Sequence, residues 1–349
     1  MSVPRVLLIS NMYPSDSEPG FGTFVKNIFN QIGSNGLHID KIVIDKKNIS
    51  SITKIKLYLI MYMRTLLNFK KYTFCYIHFI SHTSIPFIIL NFLGFKFKLV
   101  SHVHGGDVKL LSGFSSFQFR VKRHLVKRTL MISEKIIVPS RSYADYLMEN
   151  YEVSGENIVV YPSGGVNMSI FNYIGKSNVV KGLVGYAGRL IKSKNVDLII
   201  KSLLQLPDYR LEIVGDGQEL AALTNLVKEL NLEGVVRFLP AKSQQELAEW
   251  YQTIDCLVYP SESESLGLVP IEAMSCGVFC VLSDIPAFRE LLDAQLNIEL
   301  MRSLSPSSIS DSVKQLETWS EELRFKNSIR VQELYSSEKV KKELLSVFQ

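Results

Sequence analysis

What most constrains the fold of this chain is an alternation of strand and helix patterns that runs through it twice. The first series sets strands at Val6–Ile9, Lys41–Ile44, Phe74–Ile80, Lys98–His102 and Lys135–Val138, with helices over Gly22–Ile32 and Lys54–Phe69. A second series follows Tyr161, with strands at Gly182–Ala187, Arg210–Val214, Val235–Leu239, Cys256–Pro260 and Val278–Leu282 and helices between them. Such alternation predicts parallel sheets covered by helices, because neighbouring parallel strands need a long crossover. At 349 residues the chain exceeds one usual core. The expectation is therefore two doubly wound α/β domains, over 1–165 and 182–325, with a linker at 166–181 where Gly164, Gly165 and the loop from Asn172 to Lys181 interrupt the patterns.

Charge separates the two halves. Between Lys46 and Ser133 there are fifteen Lys/Arg against a single acid, Asp107, in a chain whose net charge is only +5. A basic first half beside an acidic remainder implies an anionic partner for that half alone. Two stretches there form basic amphipathic helices. In one, Leu57, Tyr58, Ile60, Met61 and Leu66 are flanked by Lys54, Lys56, Lys70 and Lys71. In the other, Phe114, Phe117, Val121 and Leu125 share one helical face and Arg120, Lys122, Arg123 and Lys127 fill the rest. Each reads either as a core helix with a solvated face or as a contact to an anionic membrane surface. Nucleic acid is the rival anion, but the stretch has no aromatic RNA-binding signature, so no nucleic-acid partner is expected.

The remaining totals exclude other classes. Four cysteines (Cys75, Cys256, Cys276 and Cys280) do not make a disulfide scaffold, and no Asp-x-Asp pair or His/Cys cluster points to a metal. The uncharged run from Tyr72 to Phe95 is interrupted by His78, Ser81, His82, Thr83, Ser84 and Pro86, and reads as a strand and a helix rather than a membrane span. Met1 leads directly into the first strand with no signal-peptide layout, so a cytoplasmic location is expected.

The chemistry concentrates in the segment Ser261-Glu262-Ser263-Glu264-Ser265-Leu266-Gly267-Leu268-Val269-Pro270-Ile271-Glu272-Ala273-Met274-Ser275-Cys276-Gly277. A strand ends at Pro260, a polar loop follows, and Leu268, Ile271 and Met274 fall at helical spacing. The loop thus sits at a helix N-terminus, where free amides and the positive dipole end bind phosphate and Gly267 lets the backbone approach. Glu264 on the strand side and Glu272 inside the helix leave one carboxylate to face a sugar and the other to take ribose hydroxyls. Earlier, Gly185-Tyr186-Ala187-Gly188-Arg189-Leu190-Ile191-Lys192-Ser193-Lys194-Asn195 follows the first strand of the second series. Arg189 by its fork and Lys194 as a point charge can hold a diphosphate from two sides, beside the turn at Gly188.

The order Pro260-Ser261, Glu264, Gly267-Leu268-Val269, Glu272-Ala273-Met274, Cys276-Gly277 resembles the signature of retaining glycosyltransferases of family four, also called glycosyl transferases group 1. The resemblance implies the GT-B fold, two Rossmann-like domains facing each other across a cleft. It also implies that the last segment, 326–349, crosses back to the first domain. In that family the Gly-Arg-Leu and following Lys neutralise the leaving nucleoside diphosphate, which places Arg189 and Lys194 there. The donor-binding set becomes Gly22, Gly188, Arg189, Lys194, Gly267, Leu268, Val269 and Glu272. The catalytic set becomes Glu264, His104, Arg189 and Lys194.

Gly20 and Gly22 lie between the first strand and first helix and resemble the family's glycine loop in position. His104 of His104-Gly105-Gly106-Asp107 is expected to hydrogen-bond a sugar hydroxyl or the leaving phosphate. Asp107 orients that loop or touches acceptor, and His102 is structural. Asp216 of Gly215-Asp216-Gly217 reads as a helix cap or a ligand contact. The segment Phe238 to Lys242 is where the resemblance puts the nucleobase, and Asn195 stands where the family usually has Gly.

The expected function is transfer of a sugar, with retention, from a nucleoside diphosphate sugar to a hydroxyl of a glycan acceptor. From the basic, aromatic first domain that acceptor is expected to be lipid-linked, as in bacterial surface polysaccharide assembly, with the enzyme peripheral on the inner membrane face. No metal cofactor is expected. The alternatives are a GT-B epimerase acting on a sugar nucleotide alone and a non-enzymatic basic nucleic-acid-binding protein.

Overall fold

In the computed structural model, which describes residues 3–18, 21–46, 49–108, 116–175 and 178–349, the chain divides into two compact units. One comprises Met1–Gly164 with Val340–Gln349, the other Gly165–Lys339.

The first unit runs β1 (Arg5–Ser10), α1 (Thr23–Gly33), β2 (His38–Val43), α2 (Ser51–Asn68), β3 (Phe74–His78), α3 (Ile80–Thr83) and α4 (Ile85–Phe92). It continues through β4 (Leu99–His102), α5 (Gly105–Val108), α6 (Ser116–Ile132), β5 (Lys135–Val138), α7 (Arg141–Tyr151) and β6 (Ile158–Val160). The strands form one parallel sheet in the order β2-β1-β3-β4-β5-β6. Chain order therefore reverses between β1 and β3, and ligands of open parallel sheets bind beyond the carboxyl ends of the strands at such a point.

Period-two alternation gives this sheet two buried faces. Leu7, Ile9, Cys75, Ile77, Leu99, Ile136 and Val138 pack with Met61, Phe87, Val126 and Leu130 on one side. Val6, Leu8, Phe74, Tyr76, Val100 and Ile137 pack on the other with Val25, Ile28, Ile32 and the chain's last apolar residues, Val340, Leu344, Val347 and Phe348.

One local expectation needs correction here. The strand expected through Ile80 ends at His78, because Phe79 takes a left-handed φ of 56° and Ile80 opens α3. On α6, Phe117 and Val121 face outward while Val126 and Leu130 are buried, so the apolar face read from the sequence is not the core face; Phe114 lies outside the described residues. On α2 the buried residues are Met61 and Thr65, and a second stripe, Ile52, Ile55, Leu59, Met63 and Leu67, is exposed.

The second unit runs β7 (Leu183–Ala187), α8 (Val196–Ser202), β8 (Arg210–Val214), α9 (Leu220–Glu229), β9 (Val236–Leu239), α10 (Gln244–Tyr251) and β10 (Cys256–Tyr259). It ends with α11 (Leu268–Ser275), β11 (Phe279–Leu282), α12 (Pro286–Asp293), β12 (Glu299–Leu300), α13 (Pro306–Gln315) and α14 (Glu321–Tyr335). A final helix, α15 (Ser337–Ser346), begins at the unit's end. The order is β12-β11-β10-β7-β8-β9, again all parallel, with the reversal between β7 and β10. The two motif-bearing loops of the sequence leave these two strands.

Candidate active site

In the second unit, the loops after β7 and β10 are joined by backbone and side-chain contacts. The amide of Glu262 donates to the Ser193 carbonyl at 3.0 Å, and the Asn195 side chain donates to the Pro260 carbonyl at 3.0 Å. Asn195 has φ 51°, a left-handed position that Asn tolerates, so it both replaces the family's usual Gly and uses its amide to tie the loops.

Lys194 is buried between these loops. Its ammonium donates to Glu264 in an ion pair and to Ser261 Oγ at 3.2 Å, and lies 5.2 Å from the centre of the Tyr259 ring. The Tyr259 hydroxyl donates to Glu264 as well, and burial together with that carboxylate pushes the phenol far up. Tyr186 stacks on Tyr259 with ring centres 5.5 Å apart and donates its hydroxyl to the Arg189 carbonyl at 3.1 Å. A tyrosine pair thus braces both loops from beneath. Arg189 is exposed and its charge acts on both phenols.

The glycines around this group are fixed by close approach. A Cβ on Gly215, at φ 141°, would lie 2.0 Å from the Gly188 carbonyl oxygen, and one on Gly217 2.2 Å from that of Leu190. Asp216 does not cap α9, whose N-cap is Glu219; its carboxylate accepts from the Gly217 amide at 2.7 Å. Gly267 caps α11 at φ 89°, and a Cβ there would meet the Phe288 ring at 2.5 Å. Leu268 and Val269 open the helix half-buried, and Glu272 follows one turn on. Burial pushes the Glu272 carboxyl up to about 7, and it has no ion-pair partner among the described residues. Phe238 and Leu239 close β9.

In the first unit, His78 ends β3 and His102 ends β4 as register partners, and His104 follows. The three rings stack. His102 and His104 have centres 4.5 Å apart at 19°, His78 and His104 5.3 Å apart at 15°, and His78 Nδ1 and His104 Nε2 share a hydrogen bond at 3.0 Å. His102 Nδ1 pairs with the Tyr76 hydroxyl at 2.6 Å. Burial lowers His104 to about 3 and carries His78 and His102 well below the ordinary imidazole range, the neighbouring imidazoles also opposing charge on His78 and His102, so all three are neutral at pH 7.

The three donor nitrogens lie within 4.8 Å of one another. A tetrahedral zinc needs its nitrogens about 3.3 Å apart. The rings stack as a neutral polar wall, with one hydrogen bond between His78 and His104, and they are a histidine cluster that the sequence reading did not find.

Asp107 is buried beside them. Its carboxylate accepts the amides of His104 at 2.9 Å and Ile80 at 3.3 Å, which ties α3 to the His104 loop, and burial pushes it up to about 8. Gly22 starts α1 at φ 78°, where a Cβ would lie 2.7 Å from the Met12 carbonyl carbon. Gly20 lies outside the described residues. Sequence reading missed His78, Tyr186, Tyr259 and Ser261 as members of these groups. A His at a strand end, repeated at His102, was the available signal for His78; the tyrosines carry no motif and meet only because β7 pairs with β10.

Solved structures share this architecture. Sucrose-phosphate synthase from Thermosynechococcus elongatus matches with a TM-score of 0.81 over 99% of this chain and 98% of that chain at 18% identity. WaaG, a glycosyltransferase involved in lipopolysaccharide biosynthesis, matches at 0.71 over 99% of each chain at 14% identity. Paired doubly wound sheets of this kind are the GT-B fold of glycosyltransferases.

Glycosyl transferases group 1 matches residues 174–331, and Glycosyltransferase Family 4 matches residues 32–165. The chain belongs to this glycosyltransferase family. Among similar proteins, an uncharacterized glycosyltransferase of Methanocaldococcus jannaschii is 29% identical over 64% of this chain, and a D-inositol 3-phosphate glycosyltransferase of Mycobacteroides abscessus 31% over 42%. The matched stretches span 59% and 35% of those two proteins' lengths.

Proposed function

We propose that this chain is a retaining glycosyltransferase that moves a sugar from a nucleoside diphosphate sugar to a hydroxyl of a glycan acceptor. The observation that carries the reading is the buried Lys194–Glu264 pair at the β7/β10 reversal, with Arg189 exposed on one side and the α11 N-terminus on the other. Two cations and a helix dipole stabilise the charge that develops on a departing diphosphate. Anabaena HepE, a fold relative with a TM-score of 0.74, has a solved complex with UDP-glucose, which supports a sugar nucleotide as donor here.

In this reading Arg189 and Lys194 hold the diphosphate, near Gly188 and the amides of Gly267, Leu268 and Val269. Glu264 contacts the donor sugar and Glu272 takes ribose hydroxyls. His104 is a neutral hydrogen-bonding group for a sugar hydroxyl or phosphate, Gly22 gives its loop close access to the donor, and Asp107 orients the His104 loop. Attack on the face the diphosphate leaves, with a diphosphate oxygen taking the acceptor proton, gives retention without a protein nucleophile.

The acceptor, in the same proposal, is lipid-linked, and the protein works at the inner face of a membrane through its basic first unit. The charge imbalance and the exposed apolar side chains of α2, α4 and α6 support this, as does WaaG's part in lipopolysaccharide biosynthesis. Among the described residues no helix is long and apolar enough to cross a membrane. The test is a thermal-shift panel of UDP, GDP and ADP and their sugar conjugates on wild type and Glu272→Ala. One nucleotide stabilising wild type and not the variant is expected; stabilisation by none at millimolar levels overturns the reading.

A further inference from the structure

Between α4 and α6 lies a groove of about 680 Å³, within the range of small-molecule pockets. Its walls are Ile88, Ile89, Phe92 and Leu93 from the α4 side and Met131 and Ile132 from the end of α6. Phe92 is 87% exposed, Leu93 62% and Met131 66%. A cluster of large apolar side chains this open to water marks an interaction site rather than a scatter of surface residues. Two cationic or titratable groups line the groove, Arg128 and His124, one turn apart on α6; both are exposed and have no hydrogen-bond or ion-pair partner among the described residues, and no acidic residue lines it.

The direction of the helices locates the groove in the fold. In a parallel sheet the crossover helices run against the strands, so the C-terminal ends of α4 and α6 lie at the edge where β4 and β5 begin. His104 and Asp107 follow the opposite ends of the strands. The groove therefore lies at the opposite edge of the sheet from the candidate acceptor residues. On α4's other side α2 presents its exposed stripe Ile52, Ile55, Leu59, Met63 and Leu67, so the apolar surface continues across neighbouring helices. It does so in the segment with fifteen Lys/Arg and one acid.

We propose that this groove binds a single anionic phospholipid of the bilayer, one acyl chain between α4 and α6 and the headgroup phosphate on Arg128. The inference rests on the membrane-facing reading of the first unit and adds a discrete lipid site to it. A guanidinium takes phosphate oxygens through two parallel N–H donors, and the apolar walls cover the chain. Charge selects an anionic headgroup, and the apolar walls select a lipid over a free phosphate.

The experiment uses full-length Met131→Trp, a change at an exposed wall position, with vesicles whose acyl chains carry a bromine quencher. The native tryptophans, Trp250 and Trp319, both lie in the second unit and give the background. Phosphatidylglycerol vesicles should quench the new emission, and phosphatidylcholine vesicles should not. Adding Arg128→Gln should raise the half-saturating phosphatidylglycerol concentration about fivefold, and adding Leu93→Glu should abolish quenching. The proposal is overturned by equal quenching with both lipids, by none with either, or by indifference to Arg128→Gln. It is equally overturned if the tryptophan signal shifts with protein concentration in the absence of lipid, which would mean that a second copy fills the groove. Nucleotide thermal shifts on the same variants report the glycosyltransferase reading separately, so either can fail alone.

Discussion

Lys194 and Glu264, 70 residues apart in sequence, form an ion pair in which the two side chains are only 11% and 15% exposed. Two loops leaving adjacent strand ends are held in register by it, and each charge depends on the other for its burial. Removing one partner of such a pair strands the other, at a cost of about 3 kcal/mol. Lys194→Met and Glu264→Leu should each lower the melting midpoint by several degrees, and the double variant should lower it less than the sum of the two. Additive losses in a thermal-denaturation cycle would show that the two residues do not act as a pair.

If Glu272 takes the donor's ribose as proposed, donor binding should depend on pH. Its carboxyl is raised from 4.5 to about 7, so between those values the folded chain holds a proton that the unfolded chain has lost. The group therefore favours folding most at low pH, and that contribution falls as pH rises from 4.5 through 7. Glu272→Gln should gain about 3 kcal/mol over wild type at pH 8 and nothing at pH 4. If the carboxylate takes ribose hydroxyls, nucleotide affinity of the wild type should also rise severalfold between pH 6 and pH 8. Calorimetric titration of both proteins with one nucleotide isolates this step from the ligand's own phosphate titration.

Glycine positions separate into two kinds. Gly215→Ala would place a methyl 2.0 Å from a backbone oxygen that cannot move without displacing Gly188, whereas Gly36→Ala, at φ 81°, meets nothing within 4 Å. The second change should cost only the left-handed penalty of about 1 kcal/mol. The first should prevent recovery of folded protein or lower its melting midpoint by 10 °C or more, on the order of several kcal/mol. Equal melting points for the two variants would contradict the packing of the β7 and β8 turns.

Tyr259→Phe removes one hydroxyl that donates to Glu264 while keeping the stack on Tyr186. Stability should change by about 1 kcal/mol, while turnover with sugar nucleotide should fall at least tenfold with little change in nucleotide affinity. Unchanged turnover in a steady-state assay would mean that Lys194 alone sets the position of Glu264.

The sequence carried the strands whose apolar runs are bounded by turn residues, and with them the loops that bear Arg189, Lys194, Glu264 and Glu272. It did not carry β6 or β12, which are three and two residues long and only half-buried at the sheet edges, too short for a period to register. It placed His104 near a strand end but not His78 beside it, because their contact depends on β3 and β4 pairing with His78 opposite His102. The two readings of the α6 face stayed open for a similar reason. Apolar spacing marks a face as helical, while the neighbours supplied by α3, α4 and β4 decide which face is core. Asn195 looked like a departure from a glycine pattern, and only its φ of 51° reveals that the backbone demand was kept.

The stacked histidines have a consequence for the conditions in which the first unit keeps its form. An ordinary surface imidazole gains about 0.8 of a charge as its surroundings acidify from pH 7.5 to pH 5.5. His104, lowered to about 3, stays uncharged across that range, as do His78 and His102, which burial carries well below the ordinary imidazole range. Acidification of the surroundings by weak acids would thus leave this wall electrically silent, while the phosphates around it change their charge.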